Sequence, residues 1–259
     1  MTSAKSKYLL TSAGDLGLEQ LICLSELLDD DSTRVLGEIA QPGWRCLDVG
    51  SGLGTVANWL AERTGDVVAV DLHPDHIRSR PGLEVRRHDI RDGAPGGPFD
   101  LIHVRMVLLH LSEREEVLRQ LIDSLKPGGW LVDSEFIGPP LQVVAETEPG
   151  DGELFNEVVG MCCNRIGVAS GISYTWAEEV DSQLVAAGLA EVRSRRFEQT
   201  FTGGDAGGRL FRCYIDQLET RLLAEGITAA ELARFRDVVL DPRFRAWMFT
   251  NVVSMGRKP

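Results

Sequence analysis

Residues 47–54 read Leu47-Asp48-Val49-Gly50-Ser51-Gly52-Leu53-Gly54, an apolar β-prone run that ends in three glycines within five positions. Glycine tolerates positive φ and carries no Cβ, so such a turn lets a ligand lie against the backbone where a buried strand ends and a helix begins. The run from Arg45 to Val49 reads as the strand. The helix opens near Gly54-Thr55, places Val56, Ala57, Leu60 and Ala61 on one side, and ends before Gly65. This order predicts a βα unit with a nucleotide-type cofactor at the carboxyl edge of its strand.

Further β-rich apolar runs follow at residues 66–71, 83–88, 99–104 and 130–136, and most of the intervening segments read as helices. Alternation of this kind, with strands that are apolar throughout, predicts a parallel sheet covered on both faces. Ser112-Glu113-Arg114-Glu115 has the form of a capping box. The helix after it carries Val117, Leu118, Leu121, Ile122 and Leu125 and stops at Pro127-Gly128-Gly129. Upstream, residues 16–28 and 33–40 read as two helices joined by an Asp29-Asp30-Asp31 turn, an N-terminal flap. Downstream, Ile137-Gly138-Pro139-Pro140 breaks the chain, and residues 153–168 space Phe155, Val159, Cys162 and Ile166 as a helix outside the βα rhythm, a candidate lid. A core helix at 176–187, a strand at 190–201, inserted helices at 208–224 and 228–239 and a last strand at 247–255 complete the reading. The expected organisation is one domain over residues 1–259. It comprises a flap (1–40), a cofactor-binding core (41–137), a lid (138–175) and the rest of the core (176–259) with a helical cap insertion at 203–240.

Composition narrows the function classes. The chain has 259 residues with 27 Lys and Arg against 39 Asp and Glu, a net charge of −12, so its surface field repels phosphate backbones and anionic lipid. Nucleic acid and membrane are therefore not expected as partners. The first residues lack the apolar region of a signal peptide, and no stretch approaches the roughly 18 apolar residues of a membrane span. Five cysteines without CxxC spacing form neither a disulfide framework nor a zinc site, so buried thiols in a cytoplasmic protein are expected, with no metal.

Two more carboxylates mark the sheet edge. Asp71 ends the second strand 21 residues beyond Gly50, where it can accept both hydrogen bonds of a ribose diol. That spacing also suits a dinucleotide, because Gly52-Leu53-Gly54-Thr55-Val56-Ala57 fits the G-x-G-x-x-A pattern. Asp89, just past the third strand, could accept an adenine amino proton while the Ile90 N–H faces a ring nitrogen; its other reading is a helix cap or solvated turn. Asp48 beside the glycine turn would repel a diphosphate and suits a zwitterionic amino acid with its ammonium.

Taken together, Asp48-x-Gly50-x-Gly52-x-Gly54, Asp71, Asp89, Phe99-Asp100-Leu101-Ile102 and Leu125-Lys126-Pro127-Gly128-Gly129 resemble class I S-adenosylmethionine-dependent methyltransferases over about residues 40–137. The stretch from Val104 to Leu111, with Tyr8, is similar to small-molecule enzymes of bacterial natural-product pathways. The resemblance implies an α/β, Rossmann-like, doubly wound, mostly parallel seven-stranded sheet with an antiparallel last strand. It implies S-adenosylmethionine as cofactor, S-adenosylhomocysteine as product and a small-molecule acceptor. It places the methionine moiety on the glycine loop with Gly50 and Gly52, the ribose on Asp71, the adenine face on Leu72 and its edge on Asp89 and Ile90. The backbone at Val104 would face the ammonium, and Tyr8 and Arg105 would close over the carboxylate end. No Asn/Asp-Pro-Pro-Tyr/Phe motif and no Pro-Cys motif follows, which removes the signatures of DNA-modifying relatives.

Methyl transfer needs a base only if the acceptor must lose a proton. His110 and Glu135 are the candidates, each with packing or capping as its other reading. Phe155, Tyr174, Trp176 and Tyr214 are candidate walls of an apolar acceptor pocket. A cofactor-binding protein without methyl transfer and an NAD(P)-dependent oxidoreductase remain as alternatives, the latter without a Tyr-x-x-x-Lys pair. A flap-mediated homodimer is left open.

Overall fold

The computed structural model describes residues 9–259. Its residues fall into two compact units, one built from Leu28–Phe136, Thr175–Phe197 and Asn251–Pro259, the other from the residues up to Leu27 with Ile137–Tyr174 and Glu198–Thr250.

The first unit holds a seven-stranded sheet. Its strands are β1 (Arg45–Val49), β2 (Asp66–Asp71), β3 (Leu83–Arg87), β4 (Phe99–Arg105), β5 (Leu125–Phe136), β7 (Ala190–Phe197) and β10 (Asn251–Arg257). The order is β3-β2-β1-β4-β5-β10-β7, with β1 to β5 parallel and β10 antiparallel to both neighbours. This is the Rossmann-like doubly wound sheet with an antiparallel last strand that the motifs imply. Central strands β1, β2 and β4 are apolar and buried almost throughout, as two covered faces require.

One face packs α2 (Thr55–Thr64) and the later part of α1 (Gly14–Gly37) against Cys46, Val67, Ala69, Leu101, Val132, Val253 and Met255. Along β5 side chains alternate, so Asp133 and Glu135 point to the opposite face from Val132. Helices α3 (Arg114–Asp123) and α5 (Trp176–Ala186) pack against β5.

Three local expectations are corrected here. α1 is one continuous helix, because the Asp29-Asp30-Asp31 run that reads as a turn is compensated within the unit: Asp29 pairs with Arg105 at 2.9 Å and Asp31 with Arg34 at 3.4 Å. The capping box is absent: α3 begins at Arg114 with no side-chain cap, and the Ser112 hydroxyl donates to Glu113 instead. β5 begins at Leu125 rather than Trp130, since the Pro127-Gly128-Gly129 turn is tied into the sheet, Gly128 N donating to Lys258 O at 2.8 Å.

The second unit has α4 (Asp151–Gly160) running into a π-helical stretch Met161–Gly167, then α6 (Ala206–Ala224) and α7 (Ala229–Leu240). It also contains an antiparallel sheet absent from the sequence reading, β6 (Val143–Ala145), β9 (Arg245–Trp247) and β8 (Thr200–Thr202) in that order. Its core is aromatic: the Phe155 ring lies 5.1–6.0 Å from those of Phe201, Phe211, Phe235 and Phe244. Arg234 grips the buried Asp151 carboxylate at 2.7 and 2.9 Å, joining α7 to α4. All five cysteines are free and buried.

Candidate cofactor and active site

The glycine turn is built as its composition requires. Gly50 and Gly54 have φ of 69° and 74°, and Gly52 has 52°. A Cβ on Gly50 would overlap Cγ2 of Val107, and one on Gly54 would lie 2.8–3.0 Å from Ile77 carbons, so conformation and close approach both demand glycine. Asp71 closes the turn from β2: its Oδ2 accepts from Gly52 N at 3.0 Å and its Oδ1 from His73 N at 2.7 Å. Each oxygen keeps a further lone pair, enough acceptors for a diol. Leu72 follows, partly exposed.

Asp48, the penultimate residue of β1, stands beside this turn and pairs in register with His103 of β4. Its Oδ1 lies 2.7 Å from His103 Nδ1, both side chains being almost fully buried. Asp48 Oδ2 is buried without a hydrogen-bond partner among the described residues. A buried acceptor next to a backbone cradle fits a ligand that brings an ammonium, so the residues present suit an amino-acid-bearing nucleoside better than a diphosphate.

The remaining predicted cofactor residues have protein partners. Asp89 caps the short 3-10 turn Ile90–Asp92 through Arg91 N at 3.0 Å and pairs with the Arg91 guanidinium at 2.8 Å. Ile90 is buried. Val104 is enclosed in β4, and Arg105 donates to Ser32 at 3.0 Å besides its pair with Asp29, so its charge is compensated by α1. Tyr8 lies outside the described residues. The structure thus joins Gly52 and Asp71 in one hydrogen-bonded set, sets Asp48 and Gly50 beside it, and leaves Asp89 and Arg105 in ion pairs of their own.

After β4 the chain makes a tight turn through Met106, whose φ is 53°, into a 3-10 turn Leu108–His110. Burial, reinforced by the Arg114 charge, lowers the His110 imidazole to about 4, so it is neutral at physiological pH. Glu135 is buried, and its Oε1 accepts from Val107 N at 3.3 Å and Leu109 N at 3.2 Å. Burial and then the neighbouring Asp133 charge push the Glu135 carboxyl well above the usual carboxylate range. Asp133, unnoticed in the sequence because it stands inside an apolar strand, is raised to about 8 by burial. The Trp176 indole N–H is directed at its carboxylate but forms no well-aligned hydrogen bond.

Of the candidate acceptor residues, Phe155 is the centre of the aromatic core and Trp176 is fully buried at the start of α5. Tyr174 and Tyr214 are half-buried, and burial pushes both phenols up.

Sheet order and edge chemistry together define a class I methyltransferase fold. The chain matches the family described as methyltransferase domain over residues 21–190, and it belongs to that family, whose cofactor is S-adenosylmethionine. It is 35% identical over 115 residues to methyltransferase str2 of Strobilurus tenacellus, covering 42% of this chain and 40% of that one, so the chain spans well under half of that relative's length. A Bacillus halodurans C-125 protein crystallised as a methyltransferase candidate shares the fold at 21% identity with a TM-score of 0.58, over 89% of this chain and 99% of the other. Phosphoethanolamine N-methyltransferase 2 of Haemonchus contortus, solved with S-adenosylhomocysteine, does so at 15% identity and a TM-score of 0.56, over 96% and 58%. Among the described residues no helix is long and apolar enough to cross a membrane.

Proposed function

We propose that this chain transfers the methyl group of S-adenosylmethionine to a small, aromatic or otherwise hydrophobic acceptor at oxygen, nitrogen or carbon by in-line displacement, in cytoplasmic natural-product biosynthesis. The observation that carries the reading is the glycine turn closed by Asp71 next to the unsatisfied, buried oxygen of Asp48. In this reading Asp71 accepts the ribose hydroxyls, Leu72 covers the adenine and Asp89 with Ile90 N–H meets its edge. Gly50, Gly52 and the backbone at Val104 border the amino-acid end, and Asp48 compensates its ammonium.

The sulfonium supplies a methyl carbon that is already activated. Orientation is then the chain's main task, and holding reactants at about 3–3.5 Å can contribute roughly 7–11 kcal/mol. Where the acceptor must lose a proton, His110 takes it, being held in the neutral form.

The test is thermal unfolding with S-adenosylmethionine, S-adenosylhomocysteine and NAD(P) in parallel, where ligand at about 100 times its Kd adds about 2.7 kcal/mol. Stabilisation by the adenosyl ligands alone supports the reading and turns the problem into an acceptor screen. Stabilisation by NAD(P) only, or by none of the three, overturns it.

A further inference from the structure

The turn between β4 and α3 is gripped from two sides. On one, Val107 Cγ2 fills the space where a Gly50 side chain would stand, so the position of Val107 bounds the glycine turn. On the other, a single oxygen of Glu135 accepts the N–H groups of Val107 and Leu109. Those two amides are not spanned by a strand ladder, and the intervening segment begins with the left-handed Met106. Next to them, Met106 N donates to Ser134 O of β5 at 2.9 Å. His110 closes the same turn, donating its backbone N–H to Val107 O at 3.0 Å.

We infer that Glu135 is a positioning residue: its Oε1 holds the 106–110 turn so that Val107 stands against Gly50 and His110 stands at the edge of the site. This replaces a proton-transfer role for Glu135, and it rests on the proposed reading of the site as a methyltransferase centre. Burial and the Asp133 carboxyl favour the protonated acid, against the backbone N–H groups of the turn and the Arg114 charge, which favour the carboxylate. An amide of the same shape presents the same oxygen, which makes glutamine the faithful substitute and an apolar residue the disruptive one.

The experiment compares Glu135→Gln with Glu135→Leu, and with Glu135→Met as the more pliant apolar variant should the branched side chain not pack. Two readouts are taken on folded protein: S-adenosylhomocysteine affinity by calorimetry and hydrogen exchange of the Val107 and Leu109 amides. Loss of two accepted hydrogen bonds should weaken binding roughly tenfold and speed both amides by a comparable factor in the apolar variants. Glu135→Gln should stay within about threefold of the parent by either measure, on the same hydrogen-bond argument. Apolar variants indistinguishable from the parent overturn the inference. So does a Gln variant as impaired as Leu, because then charge rather than the acceptor oxygen matters. If the parent itself binds no S-adenosylhomocysteine, the proposed function fails, while the exchange comparison still decides whether Glu135 holds the turn.

Discussion

His103 Nδ1 lies 2.7 Å from Asp48 Oδ1 across the parallel strands β4 and β1, in a pair almost wholly removed from solvent. The carboxylate that borders the glycine turn is thereby held by a neighbour two strand ends can supply only when β4 lies next to β1. Replacing His103 with Leu leaves Asp48 buried with neither oxygen partnered. The expected loss is about 1–3 kcal/mol in denaturant unfolding. Combining it with Asp48→Asn should give less than the sum of the two single losses, as residues in contact do.

Asp71→Ala removes the acceptor for Gly52 N and His73 N as well as the proposed ribose contacts. Hydrogen bonds to a charged group contribute about 1.5–3 kcal/mol each. S-adenosylhomocysteine affinity measured by calorimetry should fall by about two orders of magnitude or more, since 1.4 kcal/mol is tenfold.

Gly50→Ala combines a left-handed backbone with an overlap on Val107. Left-handed strain adds about 1–2 kcal/mol and overpacking about 1–3 kcal/mol. Adding Val107→Ala should restore the second part and not the first, which a double-mutant cycle in thermal unfolding resolves.

Stability should depend on pH through buried groups of opposite sign, the raised carboxyls of Asp133 and Glu135 and the lowered imidazole of His110. Asp133 has a folded value of about 8 against an ordinary 3.8, so its contribution is complete below about 3.8 and is lost as pH rises toward 8. His110, lowered from 6.5 to about 4, contributes above 6.5 and loses its contribution as pH falls toward 4. Between 4 and 6.5 the His110 slope opposes those of the carboxyls, each group contributing up to about 1.4 kcal/mol per pH unit. From 6.5 to 8 the slopes of the two carboxyls remain, so stability should decline there, and Asp133→Asn should make the decline shallower in urea titrations at successive pH values.

The first four strands lie where expected because buried parallel strands and glycine turns are written in local residue types, and the antiparallel last strand is the one the family resemblance implied. The expected strands at 190–201 and 247–255 are instead each divided, Thr200–Thr202 and Arg245–Trp247 pairing in the three-stranded sheet while Ala190–Phe197 and Asn251–Arg257 pair in the seven-stranded one, a partition that strand pairing decides. Gly50, Gly52 and Asp71 are legible because positive φ and a strand-end carboxylate are properties of single positions. The Asp29-Asp30-Asp31 run misleads because its helical state depends on Arg105, 76 residues from Asp29 in the chain. The capping box fails because Ser112 has a competing partner in Glu113.

What the chain order alone determined, then, is the βα rhythm, the glycine turn and the kind of ligand edge it makes, all consequences of backbone conformation and burial pattern. Tertiary structure decided which buried groups meet. Only strand order brings His103 to Asp48, and only the pleat of β5 sets Asp133 and Glu135 on one face, away from Val132. Only the fold carries the 106–110 turn between Gly50 and Glu135, because a carboxyl's effect on a distant amide is a matter of distance in space and of the water excluded there.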